Sequence, residues 1–199
     1  MSQRRGGAAL IASSTPLAEI SLAYFLFFAV GCSSSGPAMG DGSPFAGACT
    51  AATAMSAPIA GCMPTTAPTT GDPHQDCVNR INQFRCTCQG LPPLARWTEG
   101  EACADQMAQY DHDHPASPHQ GFRDHICAGG FAQNECPGWP SVPDTVDGCL
   151  WQMWDEGPGD FNGPPPHGHY INMSSTMYTM VACGFYTGSG GVYALQNFR

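Results

Sequence analysis

The chain contains no lysine and few charged residues of any kind. Charged residues make up 12% of the 199 positions, and seven basic residues, all of them arginine, stand against sixteen acidic ones. The formal net charge is −9 at pH 7. A surface of this sign repels the phosphate backbone of nucleic acids, so we expect no nucleic-acid partner.

The chain also lacks an apolar run long enough to span a membrane. Its longest run covers residues 20–31, whereas a transmembrane helix needs about 20 residues. Two arginines, Arg4 and Arg5, precede the run, which is typical of a secretion signal. The run ends at Cys32 in a segment that resembles a bacterial lipobox. We predict a signal peptide over 1–31 and lipidation at Cys32, although an ordinary signal with an incidental Cys32 remains an alternative.

Cysteine, by contrast, is abundant. Eleven cysteines in a chain of this length indicate an oxidising compartment. Setting Cys32 aside leaves ten, which allows up to five disulfides of undetermined connectivity. A zinc cluster is the alternative, but no two cysteines have the C-x-x-C spacing that such clusters favour. The count therefore favours a disulfide-stabilised extracellular domain.

Between the signal and this domain, residues 32–73 consist mainly of Ser, Thr, Pro, Gly and Ala. A segment with so few large apolar residues cannot bury enough surface to order itself. It is predicted to be a disordered tether between the membrane and a domain over 74–199. A Cys49–Cys62 loop within the tether is one possible pairing.

The first half of the domain has helical periodicity. Cys77, Ile81, Phe84 and Cys88 follow helical spacing and predict a helix that ends at Gly90. A second helix is predicted to begin at a capping box and end at Pro115. The residues of this prediction are the capping pair Thr98 and Glu101 and the stripe Ala102, Cys103, Met107 and Tyr110.

The second half ends in strands. A third helix, capped by Asp144 and ending near Gly157, follows a loop-rich stretch over 115–143. Alternating residues over 180–186 and 192–198, joined by a glycine-rich turn, predict a β-hairpin. Helices and strands that are segregated along the chain indicate an α+β fold class.

Histidines and carboxylates supply the candidate chemistry. His167 and His169 would share one face of an extended chain. Glu135 and Glu156 come from two other segments, and a fourth segment carries His119. Two histidines and two glutamates suit a divalent-metal or acid–base site.

The order of motifs resembles the CAP superfamily, which includes cysteine-rich secretory proteins, venom antigens and plant pathogenesis-related proteins. The resemblance covers roughly residues 77–199. It rests on Cys77-Val-Asn79-Arg-Ile-Asn-x-Phe-Arg85, Gly90-Leu-Pro-Pro-Leu94, Trp97, His119, Asn134-Glu135, Trp154-Asp155-Glu156, Gly168-His169-Tyr170, Val181-Ala-Cys-Gly184 and Tyr193-Ala-Leu-Gln-Asn-Phe198.

The resemblance implies a CAP-type α-β-α sandwich with a terminal β-hairpin. It also implies a central cleft formed by His119, Glu135, Glu156 and His169. In relatives the two histidines can hold zinc, with the carboxylates as partners. Sterols, fatty acids or partner proteins bind near this cleft in such relatives, and we expect a lipid, a sterol-like molecule or an envelope protein here.

Several positions depart from the family pattern. Asn134 replaces a glycine, and Cys136 replaces an asparagine. The Trp154–Glu156 spacing is one residue short, which leaves Asp155 as a possible substitute. The first histidine could also be His112 or His114 instead of His119.

Three functions follow from this reading. The first is a non-catalytic protein tethered to the cell envelope, with the bacterial outer membrane favoured because Ser33 follows Cys32. Its cleft would bind a divalent cation. The alternative is a metal-dependent, peptidase-like hydrolase with Glu135 or Glu156 as base. A third hypothesis is a purely structural spacer.

Overall fold

The computed structural model describes residues 49–199. The predicted signal peptide, Cys32 and the first part of the predicted tether lie outside the described residues. The described part begins with a short 3₁₀ turn, Ala51–Thr53. It is followed by α1 (Pro73–Gln83, continued by a π-helical turn Phe84–Cys88), β1 (Ala95–Arg96), α2 (Thr98–Asp113), α3 (Gln120–Arg123), β2 (Ala132–Trp139), α4 (Val142–Asp144, continued by a π-helical turn Thr145–Cys149), α5 (Leu150–Asp155), α6 (Gly168–Ser174), β3 (Met180–Gly188) and β4 (Gly191–Phe198).

The four strands form one mixed sheet in the order β1-β3-β4-β2. Strands β3 and β4 make the predicted terminal hairpin, closed where Gly188 pairs with Gly191. Strand β1 runs parallel to β3, and β2 runs antiparallel to β4. Strand β2 was not predicted, and it lies inside the stretch expected to be loop-rich.

The sheet is covered by helices on both faces. Alternate side chains of a strand point to opposite faces, and Val181 and Cys183 join the core cluster that contains α1, α5 and α6. Ala182 lies between them and packs with Ala104 of α2 on the opposite face. The fold is therefore the expected α-β-α sandwich of the α+β class.

The first predicted helix is confirmed. Asp72 caps α1 by accepting hydrogen bonds from the backbone N–H groups of His74 and Gln75. The predicted stripe from Cys77 to Cys88 is almost completely buried in the larger core cluster. The helical turns end at Cys88, two residues before Gly90.

Three local predictions are wrong. Thr98 is not the cap of α2 because it is already the first helical residue and Trp97 holds the N-cap position. The Glu101 carboxylate pairs with the Arg96 guanidinium instead. The cap of α4 is Ser141, whose hydroxyl accepts the backbone N–H of Asp144. His169 lies in α6, so it does not share the face of an extended chain with His167.

Five disulfides use all ten predicted cysteines. The predicted Cys49–Cys62 loop is wrong, because these residues pair instead with two cysteines at the end of α1. The pairs are Cys49–Cys86, Cys62–Cys88, Cys77–Cys183, Cys103–Cys127 and Cys136–Cys149. The fold class and the disulfide stabilisation expected from the sequence are thus both present.

Residues 49–73 lie against the domain. Besides the two disulfides, the N–H of Met55 donates to the carbonyl of Gln89 at 2.9 Å, and that of Ile59 donates to Cys88 at 2.8 Å. The structure therefore differs from the predicted free tether over these residues. Composition could not show this because disulfides and hydrogen bonds, and not apolar burial, hold the segment.

No helix within residues 49–199 is both long enough and apolar enough to cross a lipid bilayer.

Helix α2 packs directly against the backbone of the sheet at Gly184. A Cβ atom at this position would lie 2.1 Å from the backbone carbonyl carbon of Ala104 and 2.4 Å from the backbone nitrogen of Asp105. We expect Gly184→Ala to lower the free energy of unfolding by about 2 to 3 kcal/mol, because it forces the helix off the strand. Urea unfolding with intact disulfides measures this loss. Ser189→Ala, on the exposed turn of the same hairpin, should change it by less than about 0.5 kcal/mol. Equal stability of the Gly184→Ala variant and the wild type would contradict the close packing.

Candidate functional site

Glu156 follows the last residue of α5 and faces the start of α6. Its carboxylate accepts hydrogen bonds from the Nδ1–H of His169 at 2.5 Å, the backbone N–H of His169 at 3.0 Å and that of Tyr170 at 3.2 Å. The alternative carboxylate, Asp155, is exposed. The short Trp154–Glu156 spacing therefore still places Glu156, and not Asp155, against His169.

His119 lies immediately before α3 in a left-handed backbone conformation, with φ of 59°. Its backbone N–H donates to Oε2 of Glu135 at 2.7 Å, and its Nδ1 is 2.9 Å from Oε1 of Gln133. A non-glycine residue with this φ costs of order 1 kcal/mol or more and needs such support from its surroundings. Strand β2 supplies that support.

The hydrogen bonds fix which nitrogen of each imidazole carries the proton. The side-chain amide of Gln133 donates from Nε2 to Oδ1 of Asn197 at 2.9 Å, so Gln133 presents its oxygen to His119. A carbonyl or carboxylate oxygen can only accept, so Nδ1 is the donor in both His119 and His169. Neutral imidazoles held in this way present the lone pair of Nε2, and about a third of each histidine side chain is exposed.

Strand β2 connects the two histidine segments. While Gln133 and Glu135 contact His119, the Asn134 between them donates from Nδ2 to the carbonyl of His169 at 3.1 Å. The oxygen of Asn134 accepts from Asn172 of α6 at 2.9 Å. The asparagine that departs from the family pattern thus fastens α6 to the sheet, and the neighbouring Cys136 is tied to Cys149.

A buried carboxylate that the sequence analysis missed lies beside this group. Oδ1 of Asp111, near the end of α2, accepts the backbone N–H of Gly121 at 2.7 Å, while Oδ2 has no partner among the described residues. Burial is the largest effect and raises the pKa of both Asp111 and Glu135, while the nearby His119 acts to lower both. Asp111 raises the pKa of Glu135 further. The buried face of α2 includes Ala104, Met107, Ala108 and Asp111. Because these residues follow helical spacing, a stripe begun at Ala104 would have predicted that Asp111 is buried.

The other histidines lie elsewhere. Nε2 of His112 is 3.0 Å from the carbonyl of Ser189 in the hairpin turn. Nδ1 of His114 is 2.7 Å from the carbonyl of Tyr110, one turn back along α2. His167 directs Nδ1 at the carbonyls of Glu156 and Gly157. Of the three candidates for the first histidine, His119 is the one in contact with Glu135.

The free Nε2 atoms of His119 and His169 are potential metal ligands, and they suit a cation that is held by few protein ligands. Imidazole Nε2 is a common ligand of Zn²⁺, and a carboxylate on the opposite ring nitrogen is the usual supporting partner. Within residues 49–199, however, no group of three or more His, Cys, Asp or Glu side chains is arranged to hold a metal ion. Two imidazoles fall short of the three or four protein ligands of catalytic and structural zinc sites.

Comparison with known proteins agrees with this architecture. A search of curated proteins gives no match. The family model described as CAP, the cysteine-rich secretory protein family, matches residues 78–198, which include the second half of α1, the whole sheet and all four candidate site residues. The chain therefore belongs to the CAP, or cysteine-rich secretory protein, family.

Proposed function

We propose that this protein is a non-catalytic CAP-domain protein of the cell envelope whose cleft binds a divalent cation, such as Zn²⁺, through His119 and His169. The observation that carries the proposal is that both Nδ1 atoms are engaged by fixed acceptors. Each imidazole then offers its Nε2 lone pair. With two protein ligands and the remaining positions filled by water, the cation would be held weakly and exchange readily.

The carboxylates support binding more than catalysis. A general base must reach the water or group whose proton it takes. Glu156 already accepts three hydrogen bonds from the start of α6, and Glu135 accepts the backbone N–H of His119. Both carboxylates are thus used to position the histidines. The peptidase-like hydrolase, with Glu135 or Glu156 as base, is for this reason the second candidate.

A second part of the proposal concerns a lipid-like or protein ligand. Phe122 and Phe131 line a shallow cavity of about 320 Å³ together with Trp97, and 75% of Phe131 is exposed. An exposed aromatic beside a concave surface suits an apolar ligand. Tyr170, which follows His169, is buried and donates its hydroxyl to Gln89 at 2.8 Å, so it is not part of this surface.

The proposed location rests on two arguments. CAP-family membership and five disulfides fit an extracellular protein. Attachment to a membrane, including the bacterial outer membrane, rests on the lipobox-like motif at Cys32 alone. Stable anchoring would require more than one acyl chain on that cysteine.

Zinc titration of the full chain with its disulfides intact tests the cleft. We expect one zinc ion per chain and an affinity at least tenfold weaker in His169→Ala and in His119→Ala, because each change removes one of two ligands. Glu156→Gln should weaken binding by about 10- to 100-fold through loss of the supporting carboxylate. Isothermal titration calorimetry gives both the stoichiometry and the affinity.

His114→Ala is the matched control, since His114 is exposed and bonded within α2. Its affinity should equal that of the wild type. Equal losses in His114→Ala and His169→Ala, or no zinc binding by the wild type, would contradict the proposed site and favour the structural spacer. Zinc-dependent peptide hydrolysis that disappears in Glu156→Gln would instead support the hydrolase.

A further inference from the structure

A cavity larger than the one at Phe122 and Phe131 lies apart from the four candidate site residues. It has a volume of about 570 Å³ and lies between the segment 66–73, helix α1 and residues 142–147. None of the four cleft residues lines it. Cavities of a few hundred Å³ with apolar walls and a few polar groups are typical of small-molecule sites.

Hydrogen bonds hold the outer wall of this cavity in place. The hydroxyl of Thr66 donates to the carboxylate of Asp147, and the backbone N–H and the hydroxyl of Thr70 both donate to Oδ1 of Asp76 at 2.8 Å. The guanidinium of Arg80 donates to the carbonyl of Pro64 at 2.7 Å. The segment is thus fastened at both ends, and the cavity is largely preformed.

The lining is apolar with an excess of negative charge. Its charged members are three carboxylates, Asp76, Asp144 and Asp147, and one cation, Arg80. The apolar members are Ala67, Pro68, Pro73, Val142, Pro143 and Val146. Arg80 pairs with Asp147 at 2.9 Å. The other two carboxylates are bonded only to uncharged donors from threonine and serine among the described residues.

This excess has no counter-charge within the described part of the chain. The sequence has no lysine. Arg85 is bonded to backbone carbonyls, and Arg96 pairs with Asp72 and Glu101. Arg123 is bonded to Pro118 and Gln120, and Arg199 lies over the ring of Trp97. Asp76 is half-buried, whereas Asp144 and Asp147 are exposed at the rim, and carboxylates gathered along one cavity raise the local concentration of cations.

We propose that the cavity binds a small organic cation, an ammonium or guanidinium group carried on an apolar body. The cation meets the carboxylates of Asp144 and Asp76, while the hydrocarbon packs against Pro68, Val142 and Val146. The same charge disfavours fatty acids and other carboxylates, which would bring a third uncompensated negative group into the cavity. This site is independent of the function proposed for the histidine cleft.

Three unbranched eight-carbon probes that differ in the charge of the head group test the proposal: n-octylammonium, n-octanol and n-octanoate. We expect the full chain, with its disulfides intact, to bind octylammonium at least tenfold more tightly than either of the others, in ligand-observed NMR. Asp144→Asn should reduce the affinity for octylammonium at least fivefold, because it removes one of two uncompensated charges. Higher salt should reduce it as well.

Matched variants separate this site from the rest of the molecule. Glu99→Gln removes one exposed carboxylate outside the cavity and should leave the affinity unchanged. Ala67→Trp, at an exposed position of the lining, should block binding by filling the cavity. His169→Ala should not affect it. Equal binding of octylammonium and octanoate, unchanged affinity in Asp144→Asn, or a loss in Glu99→Gln equal to that in Asp144→Asn would each overturn the proposal.

Discussion

Replacing Cys77 and Cys183 together by alanine is expected to lower the free energy of unfolding by about 4 to 5 kcal/mol. This disulfide joins α1 to the central strand β3 across 106 residues, the longest separation of the five. Chain entropy gained by the unfolded state grows with the length of the loop that is opened. Because most domains are stable by only about 5 to 15 kcal/mol, the variant should be close to unfolded at 37 °C.

The pair Cys136 and Cys149 provides the control, since it closes a loop of only 13 residues. The same double alanine replacement there should cost about 3 kcal/mol by the same entropy argument. Guanidinium unfolding, followed by tryptophan fluorescence, measures both variants. A larger loss from the short loop than from the long one would show that packing around the sulfurs, and not chain entropy, decides the stability.

Replacing Arg85 by leucine is expected to lower the free energy of unfolding by about 3 to 4 kcal/mol. Only 1% of Arg85 is exposed, and its guanidinium donates to three carbonyls: Pro92 at 3.0 Å, Met173 at 2.6 Å and Ser175 at 2.9 Å. Burial lowers the pKa of Arg85 to about 10, so the group stays protonated at neutral pH. Leucine would leave three carbonyls without this donor.

Arg85→Lys tests whether charge alone suffices. An ammonium on a flexible stem cannot reproduce the planar fork that reaches three separate carbonyls, so we expect an intermediate loss. Arg123→Leu is the control, because Arg123 is exposed and bonded only within its own turn. It should change stability by less than about 1 kcal/mol. Wild-type stability of Arg85→Leu would show that the three carbonyls find other donors.

Much of the fold could be predicted because its signals are local. The stripe from Cys77 to Cys88 has helical spacing, and the terminal hairpin has alternation and a glycine-rich turn. Strand β2 could not be identified in this way, because Gln133, Asn134 and Glu135 are all polar. They are nevertheless buried, since their partners come from β4, α6 and the His119 loop. Such partners are set by tertiary structure and leave no periodic signal.

The residues of the candidate site could be predicted from the sequence, but the contacts between them could not. The resemblance identified His119, Glu135, Glu156 and His169, and the structure places each histidine beside one of the two glutamates. Sequence could not show that Gln133 orients His119, because the bond depends on where β2 lies relative to α3. Asp111 was missed because the predicted stripe of α2 was shifted away from the buried face.

The disulfide at Cys49 also sets how far the domain can stand from a membrane. For a chain anchored at Cys32, as proposed, 17 residues separate the anchor from the first cross-link to α1. At about 3.5 Å per residue, even a fully extended chain would reach only about 60 Å. A tether running to residue 74 would reach more than twice as far. If Cys32 is the anchor, as proposed, the cross-link keeps the domain within about 60 Å of the bilayer, where ligands and partners of the membrane surface would be in reach.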